Sequence, residues 1–193
     1  KAMNSRTRLV AITHASNVMG TILPIAKVAS IAHEAEALLL VDSAQTAGTI
    51  PIDMLAMGID FLAFTGHKEL QGPPGIGGLA IGENVDVSQI EPLMTGGTES
   101  RSESEEQPDD LPDKFESGTL NLVGIAGLHA GIQWVLNKGI DTIRAHLKEL
   151  TLVLINSLSE LPGIKLYGPL DTNSKVSIVS FGVQHKRGSE VGL

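Results

Sequence analysis

The sequence predicts an α/β fold built on a mostly parallel sheet. Three observations carry this. A strand pattern, a helical pattern and a second strand pattern follow one another between Arg8 and Asp42, and a strand–helix crossover joins parallel neighbours. A third apolar run, Asp60 to Phe64 (DFLAF), comes after a short helical stretch. Each run ends in polar residues: His14 and Asn17 after the first, Asp42 and Gln45 after the second, Thr65 and Lys68 after the third. Ligands of open α/β sheets sit beyond the carboxyl ends of the strands, so this rim is the candidate site.

The elements follow in order. Arg8 to His14 (RLVAITH) reads as a strand and Ala15 to Leu23 as a loop. Pro24 suits the first turn of a helix, and Ile25, Val28, Ala29, Ala32 and Ala35 recur at helical spacing as far as about Glu36. Leu38 to Val41 is apolar throughout, the pattern of a strand buried on both faces. Ile52 to Met57 reads as a short helix, and Gly78 to Ile81 as a fourth strand, antiparallel or at an edge. Glu91 to Gly118 is a long polar segment whose Ser/Glu centre reads as a solvated, mobile loop. Its flanks, Thr95-Gly96-Gly97 and Ser117-Gly118-Thr119, read as functional turns.

Asn121 to Leu136 is a helix in which Gly124, Gly127 and Gly131 permit close packing, and Gly139 ends it. Ile143, Leu147, Leu150, Leu154, Leu158 and Leu161 then mark a long helix that stops before Pro162-Gly163. It is the expected connector to a second domain. Ile164 to Tyr167 and Val176 to Val183 read as strands, and Ser189 to Leu193 as a helix just beginning. The expected division is 1–139 for part of a large domain, 140–162 for a connecting helix and 163–193 for the start of a small C-terminal domain. Both ends read as cut, so a piece of a longer protein is expected.

A chain of 193 residues holds one large domain or slightly more. Aromatic residues make up only 3%, so the core must be aliphatic. A net charge of −8 argues against nucleic acid or an anionic membrane as partner. Most of that charge lies between Thr98 and Glu116, which hold eight acids and two bases. There is no cysteine, which removes disulfides and thiolate metal sites. No apolar run reaches the roughly 18 residues of a membrane span, and no secretory signal pattern opens the sequence. A cytoplasmic enzyme is the expectation.

The chemistry centres on Asp60 to Gly78, DFLAFTGHKELQGPPGIGG. A buried strand delivers Thr65-Gly66-His67-Lys68 onto a turn with five glycines and two prolines. A lysine so placed is positioned for chemistry, and we read Lys68 as the residue that carries pyridoxal phosphate (PLP) as a Schiff base. PLP serves as an electron sink. It needs an anion at the pyridine nitrogen, donors for the phenolate oxygen and donors for the phosphate. Asp42 can supply the anion, although a turn or N-cap role suits it too. Gln45 and Asn17 carry amides for the phenolate oxygen, or serve as ordinary loop hydrogen bonders. Thr65 and His67 can bind phosphate, although a lone histidine is commonly structural. Gly75 to Ala80 matches G-x-G-x-x-A but leads into a strand, so no dinucleotide site is read there. His33-Glu34 lacks the second histidine of a zinc motif, and no P-loop or nucleophile elbow occurs.

THASNVMGTILPI, LLLVDSAQTAGTIPIDM, DFLAFTGHK and KFESGTLNLVGIAGLHAGI resemble the class V aminotransferase family of fold-type I PLP enzymes. Within it the nearest group is the cysteine desulfurases and selenocysteine lyases, and GGTESRSESEEQPDDLP followed by FESGT resembles a subgroup usually called cysteine desulfurase family proteins. The resemblance runs from about Arg8 to Glu190. It implies the three-layer PLP-transferase large domain, mostly parallel in its sheet, plus the start of a small α+β C-terminal domain. It implies Lys68 as the Schiff-base lysine, Asp42 at the pyridine nitrogen, Gln45 and Asn17 at the phenolate oxygen, and Thr65 and His67 at the phosphate. Thr95, Gly97 and Thr119 match segments that reach the neighbouring subunit's phosphate, which implies a homodimer. The implied reaction converts L-cysteine to L-alanine with sulfur passed to an enzyme thiolate, and a sulfur-acceptor protein is a further implied partner. The family's ring-stacking histidine, substrate-gripping arginine and nucleophilic cysteine have no counterpart in the chain. Another class V PLP reaction, aminotransferase or lyase, and an inactive dimerising fragment are the alternatives.

Overall fold

The computed structural model describes residues 3–97 and 107–192. The Ser/Glu centre of the acidic segment, expected as a mobile loop, lies outside the described residues.

Four strands form the main sheet in the order β1 (Leu9–Thr13), β2 (Leu38–Asp42), β3 (Phe61–Thr65), β4 (Gly77–Ile81). The first three are parallel, and β4 runs antiparallel to β3 at the edge. Helix α1 (Ile25–Glu34) makes the crossover from β1 to β2. It buries Ile25, Ala29 and Ala32. Ile25 and Ala29 join Leu39, Val41 and Ile59 in an aliphatic core, where each large side chain contributes about 1.5–3 kcal/mol. Asp53 caps the short helix α2 (Met54–Met57) by accepting from Ala56 N–H, so the helix starts later than Ile52.

One expectation for β2 fails. Leu39 and Val41 are fully buried, but Leu38 and Leu40 are only half-buried. α1 covers the first pair. The second pair faces an apolar groove of about 1180 Å³, which Phe61, Leu79, Leu93 and Phe115 also line. Of the three layers implied, the described residues fill a helical layer and the sheet.

Helices α3 (Leu122–Lys138) and α4 (Ile140–Ser159) meet at Gly139, whose φ of +83° turns the chain between them. The α4 stripe is only in part the one read from the leucines. Ile143, Leu147 and Leu158 are half-buried on the side of the buried Thr151 and Ile155, while Leu150 and Leu154 are exposed and Leu161 lies beyond the helix end. The helix is apolar on several sides, so leucine spacing alone leaves its inward face undefined.

β5 (Ile164–Tyr167) and β6 (Ser180–Val183) form a separate antiparallel pair, followed by α5 (Gly188–Val191). The strand expected from Val176 is therefore shorter. Residues before β6 pair instead with the loop after β1: Ile22 N–H donates to Ser174 O at 3.0 Å and Val176 N–H to Gly20 O at 2.8 Å. Ile178 N–H then closes a tight turn on Val176 O. Among the described residues, no helix is long and apolar enough to cross a membrane.

Candidate active site

The parallel register fixes the rim. Asp42 pairs with Thr13 on one side and Ala63 on the other, and Thr65 lies two residues further along β3. Gly77 of β4 pairs with Thr65, so the start of β4 reaches the same end of the sheet.

The loop after β1 is tied to this end by His14 N–H, which donates to Asp42 O at 2.8 Å. His14 itself turns inward. It is 2% exposed, and its Nδ1 is hydrogen-bonded to Thr46 Oγ1 at 3.0 Å. Burial, with a smaller effect from the Arg144 charge, holds its pKa below the ordinary histidine value. His14 is therefore part of the core and not of the rim. Asn17 remains exposed at the tip of the loop, which Ser16 Oγ shapes by accepting from Val18 and Met19 N–H.

The loop after β2 is stitched to β3. Ser43 donates both its N–H and its Oγ–H to Ala63 O, each at 2.8 Å. Asp42 Oδ1 accepts from Ala44 N–H at 2.9 Å, the turn role its type allows. Its Oδ2 has no hydrogen-bond partner among the described residues, and the side chain is exposed. Gln45 is half-buried three residues on.

The lysine turn is a closed loop. Gly66 N–H donates to Ile76 O at 2.8 Å, Gly72 N–H to Gly66 O at 2.8 Å, and Gln71 N–H to Lys68 O at 2.9 Å. A Cβ on Gly66 would stand 2.7 Å from Ile76 Cγ2. From beneath, α3 presses its glycines against the loop. A Cβ at Gly127 would meet Pro73 Cδ at 2.8 Å, and one at Gly131 would overlap Leu70 O and stand 2.8 Å from Gln71 C. The close packing read from these glycines thus has a target, the backbone that carries Lys68. Lys68 is half-buried, and its amine has no hydrogen bond or ion pair among the described residues.

Gly48 joins the two loops. Its φ is +94°, and a Cβ there would lie 2.6 Å from Glu69 O. Only a residue without a side chain lets the loop after Asp42 lie directly against the residue after Lys68. The sequence reading did not single out Gly48 or Ser43. A glycine shortly after D-S-A-Q was the available signal, but only the fold reveals what it approaches.

Thr65 Oγ1 and His67 Nδ1 are hydrogen-bonded at 2.8 Å, and the His67 ring is exposed. Thr95, Gly97 and Thr119 are exposed as well. The structure brings their two turns together: Gly118 N–H donates to Gly96 O at 3.2 Å. Gln107 clasps both, accepting from Gly96 N–H at 3.0 Å and donating to Asp113 O and Glu116 O at 2.8 and 2.9 Å. Gln107 was also missed, since nothing in its spacing distinguishes it within a polar segment. Asn121, the cap of α3, donates to Gly75 O at 3.2 Å and so anchors this group near the start of β4. No hydrogen bond among the described residues links either turn to Lys68.

Comparison with known proteins follows the same lines. The aminotransferase class-V family model matches residues 1–193. A probable cysteine desulfurase of Methanothermobacter thermautotrophicus is 40% identical over 186 residues, 95% of this chain and 46% of that protein. A cysteine desulfurase of Dickeya dadantii is 38% identical over 193 residues, 98% of this chain and 46% of the relative. Among solved structures, an Escherichia coli cysteine desulfurase superposes with a TM-score of 0.83 at 30% identity, covering 97% of this chain and 46% of its own. A cysteine desulfurase of Thermococcus onnurineus gives 0.80 at 33% identity, over 95% and 46%. The chain thus spans about half the length of the curated relatives it matches. On the match along its whole length and on the α/β architecture it shares with these structures, the chain belongs to the class V aminotransferase family.

Proposed function

We propose that the chain is the PLP-holding half of a cysteine desulfurase. The observation that carries this is the junction at Gly48. An anion and an unpaired amine from neighbouring parallel strands are brought to one rim, with their loops in backbone contact. The donor set fits PLP. Asp42 Oδ2 is unengaged among the described residues and can pair with a protonated ring nitrogen. The Lys68 amine is free to hold the aldehyde carbon. Gln45 and Asn17 offer amide N–H groups to the phenolate oxygen, and Thr65 with His67 offers donors to the phosphate. Bound there, PLP supplies an electron sink for charge developing at the substrate's α-carbon.

The chain's own residues do the rest. Asp42 would hold the proton on the ring nitrogen, and the Lys68 amine would move the proton at the substrate's α-carbon. In the net reaction the Cβ–S bond of cysteine breaks and an S–S bond forms on an acceptor thiol. The carbon takes up a proton, leaving alanine and a persulfide with no outside reductant. This chain has no cysteine, so the acceptor thiol belongs to residues outside it.

The exposed turns at Thr95, Gly97 and Thr119 support a site shared with a second subunit in a homodimer, each turn reaching the neighbour's phosphate. We divide the chain into large-domain residues 1–139, a connecting helix over 140–162 and the start of a small domain from 163. A cytoplasmic location and a separate sulfur-acceptor protein complete the reading.

The test is spectroscopic. PLP added to the chain gives a visible absorption band that borohydride fixes onto Lys68, found by peptide mapping. Lys68→Ala loses the band. A variant that keeps it, or fixation at another lysine, removes the assignment.

A further inference from the structure

Lys175 is out of place for a lysine. It is 2% exposed, and its Nζ is buried without a hydrogen-bond partner among the described residues. Buried ammonium groups are ordinarily paired, because desolvation costs several kcal/mol per ion. The backbone holds Lys175 firmly, since it bridges to Thr21 while its neighbours bond to Gly20 and Ile22. Its side chain borders a cavity of about 20 Å³, walled by Arg144, Lys148 and Thr151 of α4, by Thr49 of the loop after β2, and by Ser177. That volume holds roughly one water-sized body.

The charges around this cavity are one-sided. Arg144 donates to Asn173 O at 3.3 Å and Lys148 to Asn173 Oδ1 at 2.8 Å, both neutral acceptors. Among the described residues no carboxylate lies within ion-pair distance of Arg144, Lys148 or Lys175. Asp171 is exposed and engaged by Asn173 and Ser174. The hydroxyls of Thr49 and Thr151 already donate to Thr46 O and Leu147 O. A water could satisfy the Nζ donors but would leave Arg144 and Lys175 without a counter-charge among the described residues, Lys148 having only the exposed Asp171 carboxylate, beyond ion-pair distance, to offset it.

We propose that Arg144, Lys148 and Lys175 form a binding site for one small inorganic anion of chloride size. Occupied, it fastens α4 and the 174–177 segment to the loop that carries Asp42 and Gln45. Burial alone pushes the Lys175 ammonium below its ordinary pKa, and an anion reverses that tendency. The site lies apart from the PLP residues and stands whether or not the chain is a desulfurase.

The experiment is thermal unfolding of the chain in chloride or bromide against gluconate, at constant ionic strength. The midpoint rises saturably with halide, by about 5 °C near saturation for a chain of this size, and Lys175→Met removes the rise. Bromide-soaked crystals of the unaltered chain show an anomalous peak beside Nζ, a readout that does not depend on the variant folding. Equal midpoints in all salts, or a halide effect that survives in Lys175→Met, overturn the proposal. So does a crystal with water, or a carboxylate from elsewhere in the protein, at that position.

Discussion

Replacing Gly48 by alanine tests the juxtaposition on which the functional reading rests. The added Cβ lies 2.6 Å from Glu69 O and 2.9 Å from Glu69 C, both backbone atoms that cannot rotate away. The φ of +94° adds conformational strain for any residue with a side chain. Backbone strain of this kind costs about 1–3 kcal/mol, and overpacking a further ~1–3 kcal/mol. The loss is therefore about 2–6 kcal/mol. At about 2–4 °C per kcal/mol for this chain length, the unfolding midpoint drops by roughly 4–24 °C. The cheapest relief is for the two loops to separate, which moves Asp42 away from Lys68 and weakens PLP by about tenfold for each 1.4 kcal/mol so spent. Calorimetry and titration of the visible PLP band read the two effects. Gly188→Ala is the control, because its Cβ meets nothing within 4 Å and its φ is not positive. A Gly48→Ala chain that melts with the control and binds PLP as tightly as the parent refutes the argument.

Gly131→Ala drives a Cβ into Leu70 O and the Gln71 backbone beneath the lysine loop; it should cost about 1–3 kcal/mol and shift the PLP band, measured by denaturant unfolding and absorbance. Gln107→Ala breaks three hydrogen bonds, so hydrogen exchange at Gly96 and Gly118 should accelerate while core amides of β2 stay protected. His14 has a folded-state pKa below its unfolded value. Its contribution is fully present above the unfolded value of about 6.5 and is lost as pH falls from there through the folded pKa, because the unfolded chain binds the proton more readily. His14→Asn should therefore flatten the fall in stability below that pH, and an unchanged slope would assign the dependence to other groups.

Much of the rim was legible because it rests on local pattern. β-branched and leucine-rich runs bounded by turns locate β1 to β3, and a short crossover dictates their parallel order. That places Asp42 and Lys68 at the same end before any coordinates are known. For Gly78 to Ile81 the pattern left two options, antiparallel or at an edge, and β4 is both among the described residues. Patterns that depend on what stands opposite did not read through. The apolar run at Leu38 to Val41 promises two covered faces, yet α1 covers only one within the described residues. The leucines of α4 offer several candidate stripes, and packing selected the one through Thr151 and Ile155. The alternation from Val176 implied one continuous strand, but residues 174–176 found a partner in the loop after β1 instead.

By itself the sequence determined which residue types stand at strand ends, and hence that an amine, a carboxylate, a hydroxyl and an imidazole share one rim. Spacing and glycine content encode this because backbone conformation is set within a few residues. Only the tertiary structure decided that His14 turns into the core, that Gly48 lets one loop rest on the other, that Gln107 gathers two distant turns, and that Lys175 is buried with no hydrogen-bond partner among the described residues. Each of these depends on contacts between residues far apart in the chain, and side-chain environment is a property of the packed neighbours and not of the local string.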